Sequence, residues 1–109
     1  MSPNPPKHPL LQQLERLVPV RARAMFGGIG IYSDEIFFAI LYGDRLYFKV
    51  DDLNRPDYQA HSMQCFKPYE NGQEMRSYYQ VPEDVLSDPL LLRQWAMAAS
   101  AAAKRIKKG

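Results

Sequence analysis

The stretch Met25–Tyr32 reads Met-Phe-Gly-Gly-Ile-Gly-Ile-Tyr and places three glycines within four positions. Glycine is favoured where the backbone needs a positive φ or where another group approaches closely. A helical pattern precedes this stretch, and a series of strand patterns follows it. We therefore predict that the segment turns the chain out of a first helix and starts a β-sheet.

The helix before the glycines is predicted to begin at Pro9, because proline suits the first helical position. Pro19 ends it, since proline cannot continue a helix. Between them, apolar residues recur with helical spacing over about three turns, at Leu10, Leu11, Leu14, Leu17 and Val18. We predict that residues 1–8 are a disordered leader and that residues 9–106 form a single domain.

After the glycines, the apolar spacing becomes that of β-strands. Residues 29–32, 36–42 and 45–50 are predicted strands, and the short Gly43-Asp44 turn makes the last two an antiparallel hairpin. The unbroken apolar run at 36–42 is typical of a strand covered on one face and partly on the other. Further strands are predicted at 66–70 and 75–81.

Two more helices are predicted from their start signals. Pro56 lies near the start of a short helix that runs through Ala60, and Asp88-Pro89 opens the longest helix of the chain. Asn71-Gly72 predicts a tight hairpin between the last two strands. The predicted fold class is α+β, in two layers, with a five-stranded antiparallel sheet and the order α-β-β-β-α-β-β-α.

Composition narrows the possible functions. Lys104, Arg105, Lys107 and Lys108 hold four of the 14 basic residues, which leaves ten against 12 acidic ones in the rest of the chain. The body is therefore near neutral and is poorly suited to gripping many phosphates. No apolar run approaches the ~20 residues that span a bilayer. With one cysteine and no signal-peptide pattern, the protein is expected to be cytoplasmic.

No catalytic, cofactor or metal site is predicted. The glycines lack the order strand, glycine loop, helix that phosphate-binding loops share. His8, His61 and Cys65 are too few to close a zinc site. Tyrosines on strands next to Arg45 and Lys49 are compatible with base stacking, but cross-strand aromatic packing is the favoured interpretation.

Several motifs resemble, in order, the N-terminal domain of the TfoX/Sxy family. After Met25–Tyr32 they are Phe38-Ala39, Leu46–Asp51, Asn54-Arg55, Phe66–Tyr69, Ser77–Pro82 and Trp95. The resemblance covers residues 21 to about 103. It implies a two-layer fold of the secretion-chaperone-like type. It also implies a regulator of competence genes, which acts alongside the cyclic-AMP receptor protein and offers no catalytic residues to carry over.

We therefore expect a non-enzymatic regulatory or adaptor domain that binds a protein partner, either a component of the transcription machinery or a regulator, as a monomer or weak homodimer. The expected interaction surface consists of Arg23, Phe26, Lys49, Asn54, Arg55, Tyr69 and Tyr79. One alternative is direct nucleic-acid binding, with contacts from Arg21, Lys104, Arg105, Lys107 and Lys108. Another is a small-ligand sensor with an aromatic pocket between the sheet and the last helix.

Overall fold

The computed structural model describes residues 8–25, 27–67 and 75–108, with the side chains of residues 75, 76, 107 and 108 excluded. Most of the predicted leader, Phe26, Tyr69 and the predicted Asn71-Gly72 hairpin therefore lie outside the described residues. None of the helices within those ranges is long and apolar enough to cross a membrane.

The described chain is an α+β fold with all of its strands in one sheet. The helices are α1 (Pro9–Glu15), α2 (Arg55–Ala60), α3 (Glu83–Leu86) and α4 (Pro89–Lys108). The strands are β1 (Arg21–Met25), β2 (Gly28–Ser33), β3 (Ile36–Tyr42), β4 (Arg45–Lys49), β5 (Cys65–Phe66) and β6 (Met75–Gln80).

Helix α1 begins as predicted and ends earlier. The His8 ring accepts a hydrogen bond from the Leu10 amide at 3.1 Å, so it caps the helix that Pro9 opens. The amides of Leu17 and Val18 both donate to the Leu14 carbonyl at 3.0 Å, which closes the last turn. The helical spacing continues beyond Glu15 because Leu17 and Val18 still pack against the core from the loop.

Helix α4 confirms its predicted start signal. The Asp88 carboxylate accepts hydrogen bonds from the amides of Leu90 at 3.0 Å and Leu91 at 3.3 Å, as an N-cap residue does. The helix then runs for 20 residues to Lys108. Its buried stripe contains Leu92, Ala96, Ala99 and Ala103, and these small side chains let α4 pack closely on the sheet.

The sheet has six strands in the order β1-β2-β3-β4-β6-β5, so the prediction of five was wrong. The missed strand is β1, whose Arg-Ala-Arg-Ala-Met sequence has little of the β-branched and aromatic content typical of strands. It pairs with β2 along its whole length, with Met25 opposite Gly28. The glycines therefore turn one strand into the next, and the predicted turn from helix to sheet is wrong. Gly27 has a φ of +77°, which favours glycine at this turn.

The two faces of the sheet bury different clusters. One face packs against the helices and includes Ile31, Phe38, Ala39 and Phe48. The second cluster contains Ile40, Tyr47, Phe66 and Tyr78, with Phe37 packed against it, and all of its described members belong to strands. We call this second side the helix-free face; at one end of the sheet, Ile106 of α4 borders it. The continuous apolar run of β3 is explained because β3 contributes side chains to both clusters, as predicted.

Candidate functional site

The predicted basic residues of β1 lie on the helix-free face. Arg21 pairs with Tyr32 across the sheet, and Arg23 pairs with Gly30. A side chain on Gly30 would meet Phe37, a residue of the helix-free cluster. Because directly paired residues point to the same side of a sheet, both arginines point to this face. Both are exposed, and β1 is an edge strand of the sheet.

Lys49 lies on the same face, on β4, which is the fourth strand counted from β1. It pairs with Tyr78, and its Nζ lies 4.7 Å from the centre of the Tyr78 ring. The ammonium also donates to the Ser77 hydroxyl at 3.3 Å. Burial lowers the pKa of the Lys49 ammonium because it removes water that would stabilise the charge. Within the described residues, no carboxylate lies within ion-pair distance of this lysine.

The Asn54 side chain is buried and forms its hydrogen bonds within the fold. It is 5% exposed, its amide oxygen accepts from the Asp51 backbone at 2.8 Å, and its amide nitrogen donates to the Lys49 carbonyl at 3.1 Å. The side chain therefore holds the connection between β4 and α2 in place. Asparagine is favoured at this position because its side chain forms hydrogen bonds with backbone groups that would otherwise lack partners.

Arg55 and Tyr79 lie together on the opposite side of the sheet. The Arg55 guanidinium forms an ion pair with Asp52, and this hydrogen-bonded pairing raises the pKa of Arg55, with a smaller contribution from Tyr79. The Tyr79 ring packs against Tyr58 with its centre 5.8 Å away. The expected interaction surface is thus divided: Arg23 and Lys49 share one face, while Arg55 and Tyr79 lie on the other. Phe26 and Tyr69 fall outside the described residues.

The C-terminal cations contact the body of the domain. Lys104 Nζ donates to Asp34 at 2.9 Å, and Arg105 donates two hydrogen bonds to Asp51, at 2.6 Å and 3.0 Å. The Arg105 hydrogen bond holds the pKa of the Asp51 carboxyl below its usual value. Of the predicted nucleic-acid contacts, these two therefore have intramolecular partners. The side chains of Lys107 and Lys108 are outside the described part.

The β2–β3 turn neutralises two of the predicted cations. Asp34 pairs with Lys104, and Glu35 pairs with Arg21. Asp34 has a φ of 52° and Glu35 a φ of 65°, a conformation that non-glycine residues adopt at an energetic cost. The turn thus lies between the basic edge strand and the C-terminal end of α4.

An open apolar groove runs along α4, and we call it the α4 groove. Its volume is about 300 Å³. One wall is the segment after α1, from Leu17 to Pro19; the floor includes Phe38 and Ala96; Arg93 and Lys104 stand at opposite ends. The two cations are eleven positions apart on the helix, which corresponds to roughly 16 Å at ~1.5 Å per residue.

Apart from Lys104, the residues that line the groove were not among the predicted site residues. Met97 lines the groove with 52% of its surface exposed, and Leu90 lies seven positions earlier with 64% exposed. That spacing places both on one side of the helix, away from the buried Leu and Ala stripe. A second, shorter apolar stripe on α4 is therefore the signal that could have identified this surface.

The interior between the sheet and α4 is filled by side chains. Phe48 and Leu46 of β4 are buried against Ala96 and Ala99 of α4. This part of the described core therefore contains no aromatic pocket of the kind that the small-ligand alternative predicts. An aromatic concavity lies instead where the end of the sheet meets the end of α4, between Phe37, Tyr78 and Ile106. Within the described ranges there is also no group of three or more His, Cys, Asp or Glu placed to hold a metal ion.

The comparisons with known proteins give one family. A family model described as the TfoX N-terminal domain matches residues 12–103 of the 109-residue chain. No curated protein matches the chain. The matched range runs from within α1 to near the end of α4 and includes the whole sheet.

Proposed function

Because the chain belongs to the TfoX N-terminal domain family, we propose that it is a non-enzymatic regulatory domain that promotes transcription of competence genes in the cytoplasm. It acts by binding another protein, as a monomer or weak homodimer. The family suggests a competence-related regulator. The protein-binding mechanism is argued from the surface of this chain.

The observation that carries this proposal is the α4 groove. Large apolar side chains exposed beside a concave surface are typical of protein-interaction sites. Met97 is half exposed at the groove, while the neighbouring Ala96 is 1% exposed and packed against the sheet. The helix therefore has enough small residues to fold onto the sheet without Met97. This leaves Met97 available to contact a partner.

The cations of the groove indicate the chemistry of the partner. Arg93 is exposed, and no described carboxylate lies within ion-pair distance of it. Lys104 stands at the other end, already paired with Asp34. We propose that the occupant is a protein segment with apolar side chains that fill the groove and a carboxylate that binds Arg93. Such complementarity favours specificity and rapid association more than affinity.

The test is complementation in the native host. A strain lacking the gene is complemented with the wild type, with Met97→Glu, or with Leu53→Glu as a matched control. Leu53 is 72% exposed and lies between β4 and α2, away from the α4 groove. Transcripts of DNA-uptake genes are measured together with the amount and thermal midpoint of each protein. We expect Met97→Glu to lose activation, because it places a charge in the groove, and Leu53→Glu to retain it.

Two results would contradict the proposal. If deleting the gene leaves competence transcripts unchanged, the regulatory function is wrong. If Met97→Glu activates as well as the wild type at equal protein levels, the domain does not act through the groove.

Direct nucleic-acid binding is the second candidate, supported by Arg23, Arg45 and Lys49 on the helix-free face. Arg21 lies on the same face but is paired with Glu35. A gel shift with single-stranded and duplex DNA at 20 to 200 mM salt tests this candidate. Binding through these cations would weaken steeply as salt rises and would be reduced in Arg23→Gln, because Arg23 is exposed on the edge strand. Absence of binding at the lowest salt concentration would exclude this candidate.

A further inference from the structure

A second concavity lies at the end of the sheet, on the other side of the β2–β3 turn from the α4 groove. We call it the aromatic cleft, and its volume is about 330 Å³. Tyr32, Phe37 and Tyr78 line it from three strands, and Ile106 closes it from α4. The Phe37 ring lies 5.2 Å from Tyr32 and 5.4 Å from Tyr78 between ring centres. The lining is therefore a continuous aromatic surface.

Lys49 supplies the positive charge of the cleft. Its Nζ binds the Ser77 hydroxyl and lies over the face of the Tyr78 ring, which is a cation–π contact. Glu35 also lines the cleft, but its carboxylate is paired with Arg21 outside the set of lining residues. The uncompensated charge among the described lining residues is therefore that of Lys49.

Partial burial makes this lysine a stronger partner for an anion than an exposed one. Burial removes part of the hydration of the ammonium, and this lowers the pKa of Lys49. A charge-assisted hydrogen bond to a carboxylate or phosphate would replace that water in a region of reduced dielectric. The volume of the cleft lies at the lower end of the range of small-molecule sites.

We propose that the aromatic cleft binds a small planar aromatic anion, whose ring packs against Tyr32 and Phe37 and whose carboxylate or phosphate binds Lys49. This site is separate from the α4 groove and does not depend on the proposed regulatory function. The ligand is either an aromatic carboxylic acid or a nucleotide. Both present an aromatic ring beside a negative charge, so the same residues would recognise either one.

The experiment is a titration followed by backbone amide signals in ¹⁵N–¹H spectra of the full chain. The probes are 2-naphthoate and adenosine 5′-monophosphate, each compared with its neutral counterpart, 2-naphthamide or adenosine. We expect at least one anion to shift the signals of Tyr32, Phe37, Lys49 and Ile106 in a saturable manner. The neutral counterpart should bind about tenfold more weakly, because it lacks the charge-assisted hydrogen bond.

Lys49→Met tests the role assigned to the ammonium. It should weaken binding of the anion by about tenfold and bring its affinity close to that of the neutral counterpart. Arg16→Met is the matched control, since it removes one exposed positive charge directly after α1 and leaves the cleft intact. The control should bind the anion as the wild type does. The comparison of the anion with the neutral probe uses the wild-type protein, so it tests the contribution of the ligand's charge even if Lys49→Met does not fold.

The proposal is overturned if neither anion shifts these signals, or if a neutral probe binds as tightly as its anion. It is also overturned if a single-stranded oligonucleotide binds and neither small anion does, because this face would then be a nucleic-acid-binding surface. Tighter binding of the naphthoate supports a carboxylic acid as the source, and tighter binding of the monophosphate supports a nucleotide.

Discussion

Gly28 and Gly30 lie two positions apart on β2, and glycine is favoured at each position for a different reason. A Cβ atom on Gly28 would lie 2.7 Å from the Leu41 carbonyl oxygen, which belongs to the backbone of the neighbouring strand. A Cβ atom on Gly30 would lie 2.6 Å from the Met25 sulfur, near the end of a flexible side chain. Backbone cannot yield without disturbing the sheet, whereas a methionine side chain can take another rotamer.

Gly28→Ala should therefore lower the free energy of unfolding by about 2–3 kcal/mol, and Gly28→Val by more. Gly30→Ala, as the matched control, should cost about 1 kcal/mol or less. Urea unfolding followed by circular dichroism measures both. Equal losses at the two positions would show that close approach to Leu41 is not the reason for Gly28.

At the scale of elements, proline and capping signals identified the helices, while strand signals depended on local composition. Asp88-Pro89 predicted the start of α4 because the cap is local chemistry. Strand β1 was missed because Arg21–Met25 offers the core only small side chains, and its pairing with β2 is a tertiary contact. Lys49 was predicted as an interaction residue from its motif position. The helical spacing of Leu90 and Met97 is a sequence signal for the exposed side of α4, but the groove also depends on how the loop after α1 packs beside α4, which no local pattern contains.

The β2–β3 hairpin gives a prediction about one turn. Asp34 and Glu35 both have positive φ, and such two-residue turns favour Asn-Gly. Glu35→Gly should raise the free energy of unfolding by about 1 kcal/mol, since glycine adopts this conformation at little cost. The lost ion pair with Arg21 is exposed and contributes little.

Glu35→Gln is the matched control for the hairpin, because it removes the carboxylate and keeps a side chain at positive φ. Its thermal midpoint should stay close to that of the wild type. If Glu35→Gly is instead less stable than Glu35→Gln, the backbone conformation is not what limits the stability of this turn.

At the scale of the whole molecule, Arg105 links the C-terminal end of α4 to Asp51, in the segment between β4 and α2. Its hydrogen bonds keep the folded-state pKa of Asp51 below the unfolded value. The Asp51 contribution to stability is therefore fully present above about pH 4, the pKa of an unfolded aspartate, and is lost as the pH falls through the lower folded-state pKa.

Arg105→Met should be less stable than the wild type at pH 7, and the difference should shrink as the pH is lowered to 3. Urea midpoints at pH 7, 4 and 3 measure this, with Arg93→Met as a control whose difference from the wild type should not follow the Asp51 titration. A difference for Arg105→Met that is unchanged at pH 3 would show that the ion pair does not account for the effect.

The position of the β2–β3 turn has a consequence for the two concave surfaces. Ser33 and Lys104 line the α4 groove, while Glu35 and Ala103 line the aromatic cleft, so the same turn and the same end of α4 form part of both. If a partner segment and an aromatic anion are bound at the same time, both contact the β2–β3 turn and the C-terminal end of α4. Coupling between two binding sites is reciprocal. If the bound anion changes the affinity for the partner segment by some factor, the bound partner segment changes the affinity for the anion by the same factor.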